Sequence, residues 1–116
     1  GTFLRLKSYQ VPKYTVGFAN VRKLQDHFLL HGANFGVTSS VDYENLADIF
    51  LGGPRRTTTL ECIRVHGDVM RYDPSTEEFG ALAANGEIRT YFKPEPTKHG
   101  HASNLDYFRH ECARIF

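Results

Sequence analysis

Apolar residues recur at helical spacing in the first half of this chain and at alternate positions in most of the second. From Asn20, a suitable N-cap, Val21, Leu24 and Phe28 repeat at that spacing until Gly32, which predicts a helix of about three turns. Ser40 opens a second helix with Tyr43, Leu46, Ala47 and Phe50 on one face, and Gly52, Gly53 and Pro54 end it. After Pro54 the period changes to two. Residues 57–65 are rich in β-branched side chains, residues 66–68 turn, residues 69–72 return and residues 73–76 turn again. A third strand over residues 79–83 leads through Asn85 and Gly86, the strongest short hairpin signal, into a fourth over residues 87–93 that Pro94 stops. A loop with His99, Gly100 and His101 then precedes a last helix over about residues 105–115. Residues 1–18 show no clean period and read as an arm holding a short helix or strand.

Helices first and an antiparallel meander afterwards predict an α+β fold. The N-terminal helices pack on a twisted antiparallel sheet of about four strands, and a helix closes the chain. At 116 residues this is one domain, with no apolar run long enough to cross a bilayer. Gly1 has no Met before it, so the sequence reads as a portion of a longer protein. The formal net charge of +1 lacks the strong basic signature of a dedicated duplex binder, yet Arg5, Lys7, Lys13, Arg22 and Lys23 gather before His27 against Asp26 alone. Cys62 and Cys112, the only cysteines, are expected as buried thiols rather than a bridge.

The chemistry-bearing residues fall on the first helix and the last strand. At about 100° per residue, His31 lies near the centre of the face shared by Val21, Leu24 and Phe28 and should point at the sheet, with His27 on its flank. A histidine near neutrality exchanges protons in either direction, which suits general acid or base work. His27 and His31 also have the spacing of two metal ligands, with His99 and His101 as completion. No Glu follows His27, so the zinc-protease pattern is not met and no metal or other cofactor is expected. In a regular fourth strand Ile88, Thr90 and Phe92 share one face, and Arg89, Tyr91 and Lys93 the other. A row of cations and hydroxyls, joined by Arg71, is what a pentacovalent phosphate needs. Tyr43, Tyr91 and Tyr107 are candidates for stacking on bases.

Residues 31–36, 43–50, 71–74, 78–80, 86–94, 99–100 and 104–108, taken together, resemble the small ribonuclease domains of the barnase, EndoU, colicin and RelE superfold. Within it they look most like the C-terminal tRNase toxin domains of contact-dependent growth inhibition exoproteins, which belong to the polymorphic toxins. The resemblance spans roughly residues 20–110. It implies a metal-independent endoribonuclease that cleaves tRNA by transesterification to a 2′,3′-cyclic phosphate. Such a domain is delivered on a secreted cell-surface exoprotein, acts in the cytoplasm of a target cell and is neutralised by a cognate immunity protein. An elongation factor of the target cell is a further partner that related toxins suggest. On this pattern His31, Arg71, Thr90, Tyr91 and Lys93 are the expected catalytic residues, and His27, Arg89 and His99 the expected substrate contacts. Two other readings stay open: a binding module for RNA or protein without chemistry, and a metal-dependent nuclease.

Overall fold

The computed structural model describes residues 12–115. Two helices cover one face of a five-stranded sheet and a C-terminal helix covers part of the other, as the α+β expectation required. Strand β1 (Gly17–Phe18) falls in the expected arm, whose first eleven residues lie outside the described ones. Helix α1 (Val21–His31) starts where predicted, the Asn20 side chain accepting the Lys23 N–H. Its α-helical part ends at Gly32, as predicted, but the chain goes on winding. That residue is right-handed helical, the chain tightens into a 3₁₀ turn over Gly32–Phe35, and Gly36, at φ 69°, ends it. A Cβ on Gly32 would lie 2.6 Å from the Phe28 ring, so the glycine serves packing as well. Val21, placed by the pattern on the buried face, is exposed.

Helix α2 (Ser40–Gly52) is capped by Ser39, one residue earlier than expected, and buries Tyr43, Ala47, Phe50 and Leu51. Its fully buried Asp48 accepts the backbone N–H groups of Lys13, Tyr14 and Thr15 at 2.8–3.1 Å, which ties the start of the described chain to the helix. Strands β2 (Leu60–Ile63), β3 (Val69–Asp73), β4 (Glu78–Leu82) and β5 (Glu87–Phe92) form the predicted meander, and β1 adds a parallel neighbour outside β5, giving the order β1-β5-β4-β3-β2. Gly80 lets α2 approach the sheet: a Cβ there would meet Leu51 at 2.8 Å and the Thr90 carbonyl at 3.0 Å. A one-turn helix α3 (Pro96–His99) and helix α4 (Asn104–Ala113) complete the chain.

The register of β5 departs from a regular strand. Ala81 pairs with Thr90 but Leu82 pairs with Ile88, leaving Arg89 as the extra residue of a bulge. Ile88 and Tyr91, of opposite parity in a regular strand, therefore share the core under α1 and α2. Phe92 packs with Met70, Tyr72, Phe79 and Ala81 under α4. Helix α4 is fastened there by Phe108, by a Cys62–Cys112 disulfide and by a buried pair in which Arg64 donates to Glu111 at 2.7 Å. The disulfide corrects the expectation of two thiols. The cysteines sit on β2 and α4, elements 50 residues apart in sequence that the sheet face brings together.

Candidate functional site

Strand β1 pairs with β5 only at Glu87 and Ile88, so among the described residues the C-terminal half of β5 has no strand outside it. Helix α1 lies against that edge. His31, in the last turn of α1, stacks on Phe92 at 5.1 Å between ring centroids and is 6.0 Å from His27, whose ring in turn approaches Phe18 at 5.1 Å. The helical spacing thus aimed His31 at the sheet correctly. Burial pushes the His31 imidazole below the usual histidine value, and repulsion from His27 and Lys98 acts in the same direction. His27 is also lowered, by burial foremost, against an attraction to Asp26 and with a further push from Lys23. Its Nδ1 is buried with no hydrogen-bond partner among the described residues, an arrangement that favours the unprotonated nitrogen there.

Lys98 reaches this neighbourhood from α3, a turn begun by Pro96 and closed by Gly100 at φ 78°. Sequence reasoning passed over it, although Pro at the start and Gly past the end are the signature of such a turn. Lys93, just beyond β5, sits over the Phe35 ring at 5.4 Å. Thr90 is half-buried on the α4 side of the sheet, opposite Ala81 and on the same face as Phe92. The bulge therefore leaves Thr90 and Lys93 on different faces, since Phe35 belongs to the α1–α2 core.

Arg71 and Tyr91 do not join the cluster. Arg71 lies opposite Gly80 on the α2 face, donates to the carbonyls of Phe50 and Gly53 at 3.1 and 2.7 Å, and pairs with Glu61 at 2.7 Å. It closes the C-terminal end of α2, whose last carbonyls need donors, so its charge is engaged away from β5's open edge. Tyr91 is fully buried, stacked on Phe35 at 4.4 Å, and donates to Glu78 while its carbonyl accepts from Tyr43. A hydroxyl so enclosed cannot reach an RNA phosphate, and burial raises its pKa far beyond the usual tyrosine range. Glu78 also accepts from Arg56, which bonds Asp73 as well. Burial opposes ionisation of Asp73, yet hydrogen bonds from Ser75, Thr58 and Arg56 prevail and hold its carboxyl well below the usual range. This network knits β3, β4 and β5 together inside the sheet. Arg89, at the bulge, pairs with Asp68 at 3.1 Å beside a surface pocket of about 290 Å³ near the β4–β5 turn.

His99 lies on the α4 side. Its ring stacks on Tyr107 at 4.6 Å, Nδ1 accepts the His101 backbone N–H, and Nε2 is 2.9 Å from the Asn104 side-chain oxygen. With Nδ1 an acceptor, Nε2 carries the proton and donates, so both nitrogens of a neutral ring are engaged. Asn104 and Tyr72 in turn donate to Glu77, which holds the uncommon φ of 64°. The metal reading asked His27, His31, His99 and His101 to converge, whereas among the described residues no three such side chains are placed to hold an ion.

No family model matches this sequence, and no curated protein does. Among solved structures it is similar to a ribonuclease from Escherichia coli in complex with its inhibitor protein, with a TM-score of 0.53 and 17% identity over 72% of this chain and 95% of that one. At that identity the likeness is one of architecture: the chain carries a ribonuclease-like α+β fold.

Proposed function

We propose that this domain is an endoribonuclease that cleaves tRNA by metal-independent transesterification. The observation that carries the reading is His31: a half-buried, pKa-lowered imidazole held at the unpaired edge of β5 with Lys98 beside it, on a fold shared with a ribonuclease. Near neutral pH a lowered imidazole is largely unprotonated and competent as a base. His31 takes the proton of a ribose 2′-hydroxyl, the 2′-oxygen forms its bond to phosphorus, and the bond from phosphorus to the 5′-oxygen breaks. That leaves a 2′,3′-cyclic phosphate. The departing 5′-oxygen takes its proton from solvent water, and His27, whose imidazole is lowered as well, packs beside His31. Lys98 supplies positive charge for the phosphorane, and Thr90 a hydroxyl on the Phe92 face.

The route and partners expected of a polymorphic toxin accompany this reading. The disulfide suits passage through an oxidising compartment before the domain acts in a target-cell cytoplasm. An immunity protein fits the architectural likeness to a ribonuclease solved with its inhibitor, and an elongation factor is the candidate for presenting tRNA. The test is purified domain incubated with total tRNA in EDTA. Shortened RNA bearing cyclic phosphate ends is expected from the native protein and not from His31→Ala. RNA left intact by the native protein in EDTA overturns the proposal, and cleavage restored by added divalent metal supports the metal-dependent alternative.

A further inference from the structure

Six rings follow one another from α1 across β5 to α4. His31 stacks on Phe92, Phe92 meets Tyr107 edge to face, Tyr107 stacks on His99, His99 approaches His101, and His101 approaches His110, with successive centroids 4.6–6.4 Å apart. His110 is exposed and the other five are half-buried, so the row is neither core nor isolated surface rings. Both ring nitrogens of His99 are engaged in hydrogen bonds, which leaves its ring to act as a π surface. An exposed cation adjoins the row, Lys98 on α3 next to His99, and its only ion pair among the described residues is a surface one with Glu95.

We infer that this row is the track for an unpaired RNA segment leading from the cleavage site at His31, its bases lying against the rings and its phosphates against Lys98. The inference rests on the ribonuclease reading and adds its substrate class. Duplex RNA offers no free base faces, whereas a single strand can stack on aromatic rings without regard to sequence while basic side chains follow its backbone. Ring chemistry and charge both fit a strand, and a row that ends on half-buried His101 and exposed His110 extends the contact beyond the scissile step.

The experiment is fluorescence anisotropy with labelled 2′-O-methyl RNA, which lacks the attacking hydroxyl, as a single strand and as a duplex. The native protein is expected to prefer the single strand. His110→Ala and His101→Ala, at sites away from the core, are expected to weaken single-strand binding about fivefold or more each, on the scale of one lost stack. His110→Phe and His101→Phe, which keep an aromatic ring, are expected to restore it. Cleavage of a dinucleotide, too short to leave the His31 end, is expected to survive all four substitutions. Equal affinity for strand and duplex, or unchanged single-strand binding in both alanine variants, overturns the track while leaving the nuclease reading intact. Failure of the native protein to cut RNA while these binding results hold overturns the nuclease reading alone.

Discussion

The Cys62–Cys112 bond closes a loop with a sequence separation of 50, and its removal gives the perturbation whose size the structure states best. Cross-linking a chain removes loop-closure entropy from its unfolded ensemble, and for a loop of this length the chain-entropy relation gives about 4 kcal/mol at 25 °C. Measured effects usually fall at about 2–4 kcal/mol, a large share of the roughly 5–15 kcal/mol that holds a domain together. Helix α4 has other anchors. Phe108 packs against Tyr72 and Phe79, and Arg64 donates to both the carboxylate and the backbone carbonyl of Glu111. The reduced protein should therefore fold and keep α4 docked, at lower stability. Urea unfolding followed by circular dichroism, with and without reductant and with thiols counted, is the assay. With a slope of about 1–2 kcal/mol per molar, the midpoint should fall by about 1–4 M. Coincident curves after both thiols are shown to be free would refute the entropic argument, and two titratable thiols in the folded, unreduced protein would refute the bond itself.

His31→Ala should lower cleavage by about 10²–10⁴-fold at an almost unchanged thermal midpoint, read by gel assay and melting curve. Arg71→Ala should act in the opposite way: stability falls by about 1–3 kcal/mol as the α2 carbonyls lose their donor, and activity of the remaining folded fraction is unchanged. The pH profile of kcat/KM should show an acid limb below the usual histidine range, because burial, His27 and Lys98 all lower His31 while Asp26 and Lys23 act on its partner His27 in opposing senses. The same lowering makes the unfolded chain bind more protons just below the usual histidine value. Stability should therefore rise with pH through that window, being lost as the pH falls and levelling off below the folded value, and His31→Gln should flatten that slope. Gly80→Ala should be strongly destabilising in urea melts, since Leu51 and the Thr90 carbonyl both stand within 3.0 Å of the added carbon and one of them is backbone.

The elements were legible because each has a local cause: Asn20 and Ser103 as caps, Asn85 and Gly86 as a turn, and a change of period after Pro54. The direction of His31 was equally local, since a helix keeps its angular spacing wherever it packs. What escaped was non-local. A bulge needs a register between two strands, and Arg89 carries no glycine or other mark of one, so alternate spacing put Tyr91 beside Arg89 when the fold buries it against Phe35. Arg71 looked like a phosphate ligand for the same reason: a cation on a strand shows its charge in the sequence but not the helix end it closes. The disulfide and the ring row both depend on α4 crossing the face opposite α1, and no residue states which face a C-terminal helix takes. That choice matters most for the site. With α4 on the side of Thr90 and Phe92, the edge of β5 becomes one wall of a surface that continues over Tyr107 and His99. On the proposed reading an RNA strand would enter from α4 and end at His31. Had α4 packed beside α2, the same edge would have had no aromatic approach.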